Sequence, residues 1–111
     1  FLDLDKNEFS GKIPDELYNV KSLSALDLDT NQLTGTISTF IGELENLFFV
    51  QLDYNELTGT IPSDIGELSH LRFFTVIGNN FTNVVPGEVC SLGTTVYANC
   101  DICNGCCTQC N

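Results

Sequence analysis

Leu52-Asp53-Tyr54-Asn55-Glu56-Leu57-Thr58-Gly59-Thr60-Ile61-Pro62 compresses an alternating apolar pair, an asparagine, a third leucine, a glycine and an isoleucine-proline step into one short run. The same order recurs on either side at a fixed interval: Asn7, Asn31, Asn55 and Asn79 stand 24 residues apart. Other columns keep that register. Leu2, Leu26, Val50 and Phe74 form one, and Leu4, Leu28, Leu52 and Val76 the next. Phe9, Leu33, Leu57 and Phe81 form a third, followed by Ile13, Ile37, Ile61 and Val85, and by Leu17, Ile41, Ile65 and Val89. A repeat of this length cannot bury its apolar side alone, so the columns predict stacked turns that share one continuous core.

Within each turn the alternation around Leu26 and Leu28 predicts a short strand, with these leucines inward and Asp27 and Asp29 outward. One strand per repeat gives a parallel sheet. Each asparagine falls where the chain leaves the sheet, and its amide can donate and accept to backbone groups otherwise buried without partners. Gly59 and its equivalents Gly11 and Gly35 supply the turn. Ser38 replaces the proline and Asn83 the glycine, and asparagine tolerates positive φ well enough for that turn to survive.

These residues resemble the plant-type leucine-rich repeat, whose pattern L-x-L-x-x-N-x-L-[ST]-G-x-I-P is matched from Leu52 to Pro62. The resemblance implies an α/β solenoid: an arc of four 24-residue repeats with short parallel strands on its concave face, over residues 1–92. Phe1 falls inside a repeat, so the expected N-terminal cap is missing. Residues 93–111 form a cysteine-rich C-terminal cap.

The resemblance also implies that binding takes place on the concave face. Its outward columns are acidic and aromatic: Asp3 and Asp27, then Asp5, Asp29 and Asp53, flanked by Phe49 and Phe73 with Phe1 and Ala25, and neighboured by Phe48, Tyr54 and Ile77. Strand spacing of about 4.8 Å crowds the five carboxylates. Three readings follow: a solvated acidic face with raised carboxyl pKa values, a dock for Lys or Arg of a partner, or a divalent-cation surface. The phenylalanines are either interface or satellite core. Sequence alone assigns no metal and no cofactor.

Six cysteines end the chain: Cys90, Cys100, Cys103, Cys106, Cys107 and Cys110. An even count closing a solenoid predicts disulfides, with Cys90 bonded into the cap and fifteen connectivities open. A rival is the iron-sulfur spacing C-x2-C-x2-C-x3-C from Cys100 to Cys110, which lacks the following proline and a second cysteine run. The run Val96 to Cys110 is similar to the caps of secreted leucine-rich-repeat proteins of diatoms and related algae, which implies an extracellular or cell-wall setting. The sequon Asn80-Phe81-Thr82 makes Asn80 a glycosylation candidate and agrees with an oxidising secretory route.

The net charge of -11, from 15 acidic and 4 basic residues, repels nucleic acid and anionic lipid. No apolar run is long enough for a membrane span. No acid, base and nucleophile converge, and His70, the one histidine, belongs to a solvated arc, so no catalytic residue is assigned. The outward pairs Thr34/Thr36 and Thr58/Thr60 suggest water ordering, but the ladder breaks at Ser10/Lys12 and Thr82/Val84. The sequence thus predicts an extracellular protein-binding or structural assembly module, with a basic protein partner or self-assembly. The alternatives are receptor-like recognition of a small ligand or glycan, and a cation-binding surface.

Overall fold

The computed structural model describes residues 1–111. Its strands are β1 (Leu2–Asp3), β2 (Ser10–Lys12), β3 (Ala25–Asp27), β4 (Gln32–Thr34), β5 (Phe49–Gln51), β6 (Phe73–Thr75), β7 (Thr95–Ala98) and β8 (Gln109–Cys110). Six of them form one parallel sheet in the order β1-β3-β5-β6-β7-β8, and β2 and β4 pair separately. Leu2 lies beside Leu26, Leu26 beside Val50, and Val50 beside Phe74, which is the 24-residue register. The arcs behind the sheet are single 3₁₀ turns at Asp15–Asn19, Thr39–Glu43 and Ser63–Glu67, and the α-helices α1 (Gly87–Cys90) and α2 (Cys100–Cys103) each make about one turn.

The core is one cluster built on the predicted columns, with Val50, Leu52, Leu57, Ile65 and Phe74 fully buried, and extended by a further column, Leu23, Leu47 and Leu71, and by Val96, Ala98 and Ile102 of the cap. The first rung is more open: Leu2, Leu4 and Leu17 are only partly buried, and Phe9 and Val20 are exposed.

The asparagines line up as a ladder. Asn55 Nδ2 donates to Leu28 O of the preceding rung at 2.9 Å and to Leu52 O of its own at 3.2 Å, while Leu33 N–H donates to its Oδ1 at 3.1 Å. Asn31 repeats this with Leu4 O, Leu28 O and Phe9 N–H, and Asn79 with Leu52 O, Val76 O and Leu57 N–H. Asn7 reaches only Leu4 O and Asp5 O.

The two departures from the pattern have different physical outcomes. Asn83 takes φ 62, close to the φ 78 of Gly59, so the turn is kept. Ser38 regains the N–H that proline lacks and donates it to the Tyr18 hydroxyl at 3.3 Å. Tyr18 stands in the column of Gly42 and Gly66. Gly42 is pressed against the Asp64 carbonyl, leaving no space for a side chain, whereas the Tyr18 ring is buried and its phenol is pushed up by that burial.

The sheet does not stop at Leu92. β7 continues it at a tighter spacing, with Val96 beside Phe74, and β8 adds a last strand beside β7. Three disulfides, Cys90–Cys106, Cys100–Cys110 and Cys103–Cys107, use all six cysteines. This pairing removes the thiolates that an iron-sulfur or zinc site would require, and Cys90 bonds into the cap as expected. Val85 N–H donates to Ile102 O at 2.8 Å, which ties α2 to the fourth rung.

Two outcomes are expected in denaturant unfolding. Asn55→Leu should lose about 1–3 kcal/mol, because carbonyls of two rungs and one amide lose their partner in the interior. Unchanged stability would mean that the ladder does not hold the register. Replacing both Cys90 and Cys106 by alanine should cost about 3 kcal/mol, since that bond closes the longest of the three loops, at a separation of 16 residues.

Candidate functional site

The outward side of the six-stranded sheet divides into two halves. On the first two rungs, carboxylate oxygens of Asp3, Asp5 and Asp27 lie within 4.8 Å of one another. Asp5 N–H donates to Asp3 Oδ1 at 3.3 Å, and Asp29 N–H donates to Asp27 Oδ1 at 3.2 Å, so the two rungs repeat one local geometry. Lys6 Nζ stays 3.9 Å from Asp5 Oδ2 and is largely solvated.

Expected on the same surface, Asp29 and Asp53 behave differently from the outer three. Asp29 is only 7% exposed, where the alternation alone predicts an outward, solvated residue. Asp53 is half-buried and turns toward the next strand, where Thr75 Oγ1 donates to its Oδ1 at 2.5 Å and Ile77 N–H at 2.7 Å.

Electrostatics follow burial and crowding. The Asp27 carboxyl is pushed up to about 6, first by burial and then by the adjoining Asp29 carboxyl. The Asp5 carboxyl is raised by its contact with Asp3, and that of Asp53 by burial, partly offset by Thr75 and Ile77.

The other half is aromatic. Phe49 and Phe73 stack with centroids 5.1 Å apart, and Tyr97 meets Phe73 edge-on at 5.3 Å. All three are half-buried, so they are neither free-standing nor core, while Phe48 and Tyr54 are exposed. Ala25, in the same column as the phenylalanines, is fully buried and contributes no surface. Tyr54 sits at φ 56 with its ring against Gly78.

The structure therefore brings Asp3, Asp5 and Asp27 together, buries Asp29 beside Asp27, turns Asp53 aside, and groups Phe49 and Phe73 with Tyr97. Tyr97 went unnoticed in the sequence because β7 follows a shortened interval that the 24-residue count does not reach. Asn99 was missed for the same reason; its side-chain oxygen accepts from Gly78 N–H at 3.0 Å.

This face holds no deep cleft. The largest depression, about 450 Å³, lies along the 3₁₀ arcs and is lined by Lys21, Gly42, Glu43, Glu45, Asn46 and Glu67. His70 is exposed, with its ring nitrogen 3.3 Å from Glu45 O. Thr34, Thr36, Thr58 and Thr60 are exposed, but Thr58 Oγ1 is directed at Gly35 O at 3.3 Å. No helix is long and apolar enough to cross a membrane.

The Leucine Rich Repeat profile matches residues 1–20, 22–44 and 46–68. The chain belongs to the leucine-rich repeat family. Among solved structures, it is similar to the BIR2 ectodomain from Arabidopsis thaliana, with TM-score 0.81 and 34% identity over 88% of this chain and 54% of that one. The plant peptide hormone receptor RGFR1 in complex with RGF2 superposes with TM-score 0.77 and 34% identity, over 85% of this chain and 15% of that one. A plant ice-binding protein gives TM-score 0.81 and 27% identity, over 88% and 32%. The chain thus spans about half the length, or less, of these repeat proteins. A search of the curated proteins finds no match.

A pH effect follows from the carboxyl cluster of this repeat array. A folded-state value near 6 for Asp27, above its ordinary 3.8, means that the native state favours the protonated form. Its stabilisation is complete below the unfolded value and is lost as pH rises through the folded one. Thermal melts in chelated buffer should therefore show wild type losing more stability than Asp27→Asn between about pH 4 and pH 6.5. Parallel curves would contradict the coupling of Asp27 to its neighbours.

Proposed function

We propose that this leucine-rich repeat chain is an extracellular, non-enzymatic binding module that docks a protein or peptide partner across the outward face of its sheet. The observation that carries this reading is the juxtaposition on one open, rigid face of a carboxylate half and an aromatic half. Aromatic rings with little rotamer freedom supply contact area at small entropic cost, and carboxylates select and steer basic side chains. A partner segment that joins Lys or Arg to apolar residues matches both halves.

The neighbours support the class of function: one is an ectodomain and another a peptide hormone receptor bound to RGF2. Three disulfides agree with an oxidising compartment, the extracellular space or the secretory lumen. Asn80 is exposed, as a glycan acceptor must be, and in this reading it carries one. Repetition of the same face on a second copy also provides a route to self-assembly, which an all-acidic first half disfavours.

The test is a peptide array read against immobilised chain in chelated buffer, followed by cross-linking and mass spectrometry on native material. Captured peptides should pair basic with apolar residues and weaken in high salt. Phe73→Asp should reduce their affinity roughly tenfold or more while the fold persists. Cross-links confined to the 3₁₀ arcs, or affinity indifferent to Phe73, would place the partner elsewhere.

A further inference from the structure

One charged oxygen on the sheet face is left without a partner. Asp29 is only 7% exposed, and its Oδ1 is buried with no hydrogen bond, the one such side-chain atom in the chain. Its Oδ2 takes only the Thr30 hydroxyl at 3.1 Å. The equivalent carboxylate one rung later, Asp53, is satisfied by Thr75 and Ile77. At the position of Thr75, the rung beside Asp29 offers Gln51 instead, which makes no bond to it. A buried anionic oxygen without a donor is costly, and here it adjoins the Asp27 carboxyl, itself one of three carboxylates already crowded together.

From this geometry we infer that the carboxylates of Asp3, Asp5 and Asp27, with Asp29 adjoining Asp27 from the buried side, form a site for one divalent cation of calcium's size and hardness on the first two rungs of the sheet. Hard oxygen ligands exclude the softer transition metals as preferred occupants. Oxygens lying within 4.8 Å of one another fit across a shell whose metal–ligand distances are about 2.3–2.6 Å, whereas magnesium, which demands near-ideal octahedral geometry and keeps several of its waters, is less suited to a set of several carboxylates. Asp3 is exposed and Asp5 and Asp27 half-buried, so the outer side stays open to the waters that complete six to eight ligands. Lys6 cannot serve in the cation's place, because its single charge is solvated and reaches only Asp5, at 3.9 Å.

The inference does not depend on partner docking, and its test uses the chain alone. After dialysis against chelator at pH 7.5, calcium chloride is added and followed by calorimetric titration and thermal melting. One binding event is expected, with Tm raised by about 5 °C or more in excess calcium and by distinctly less in equimolar magnesium. Asp27→Asn/Asp29→Asn should abolish the heat and the shift while melting no lower than wild type in chelator, since it removes repulsion. Should that variant fail to fold, the exposed pair Asp3→Asn/Asp5→Asn is measured instead, and it should weaken the response at least tenfold in calcium concentration. The site is refuted by the absence of heat and shift, by an equal shift in sodium chloride of matched ionic strength, or by variants that respond as wild type does. Peptide capture in chelator is scored separately, so failure of the cation site leaves the docking face standing, and the reverse holds as well.

Discussion

Asn31, Asn55 and Asn79 each hold a carbonyl from their own rung and one from the rung before it, and take an amide from that earlier rung into the side-chain oxygen. Those three bonds set how one coil sits on the next. Backbone groups at the corner where the strand ends cannot reach a sheet partner, and buried unpaired they would cost more than the side chains around them return. Because the same amide repeats at Asn31, Asn55 and Asn79, the corner has the same shape each time, and the leucines before and after it arrive at the same depth. The register of the outward columns is inherited from this. Carboxylates from rungs one and two face each other, and rings from rungs three to five stack, because the corners do not slip.

The repeat was legible because it rests on strictly local chemistry restated at a constant interval. Leu26, Val50 and Phe74 share a column whatever the rest of the chain does, and the asparagine ladder follows from the same count. Features that depend on which residue lies across from which were not legible. Asp29 and Asp53 look alike in the sequence, yet Thr75 and Ile77 meet the needs of one, and Gln51 does not meet those of the other. Tyr18 and Ser38 depart from the pattern in different columns, and only the stacking of adjacent coils shows that one departure answers the other. The cap escaped a periodic reading because its strand arrives early: Val96 pairs with Phe74 after a shortened coil, which carries Tyr97 into the outward face. Its cystine pairing was likewise open, since spacing alone permits many closures.

The division of the outward face has a physical logic of its own. A carboxylate beside others is stabilised by water or a cation, and a stacked ring by the removal of water, so mixing the two along one column would penalise both. Segregation by rung lets each half keep the environment it requires. The transition falls at β5, where Gln51 takes the place of Asp27 and Asp53 turns its charge away toward β6. That turn matters for more than Asp53. It leaves the first two rungs as a closed group of acids with no donor from the third, which is why the residual need concentrates on Asp29 Oδ1 instead of being spread along the ladder. A ligand long enough to lie across both halves must therefore change its chemistry at β5, from cationic to apolar, and a ligand confined to one half meets only one kind of surface.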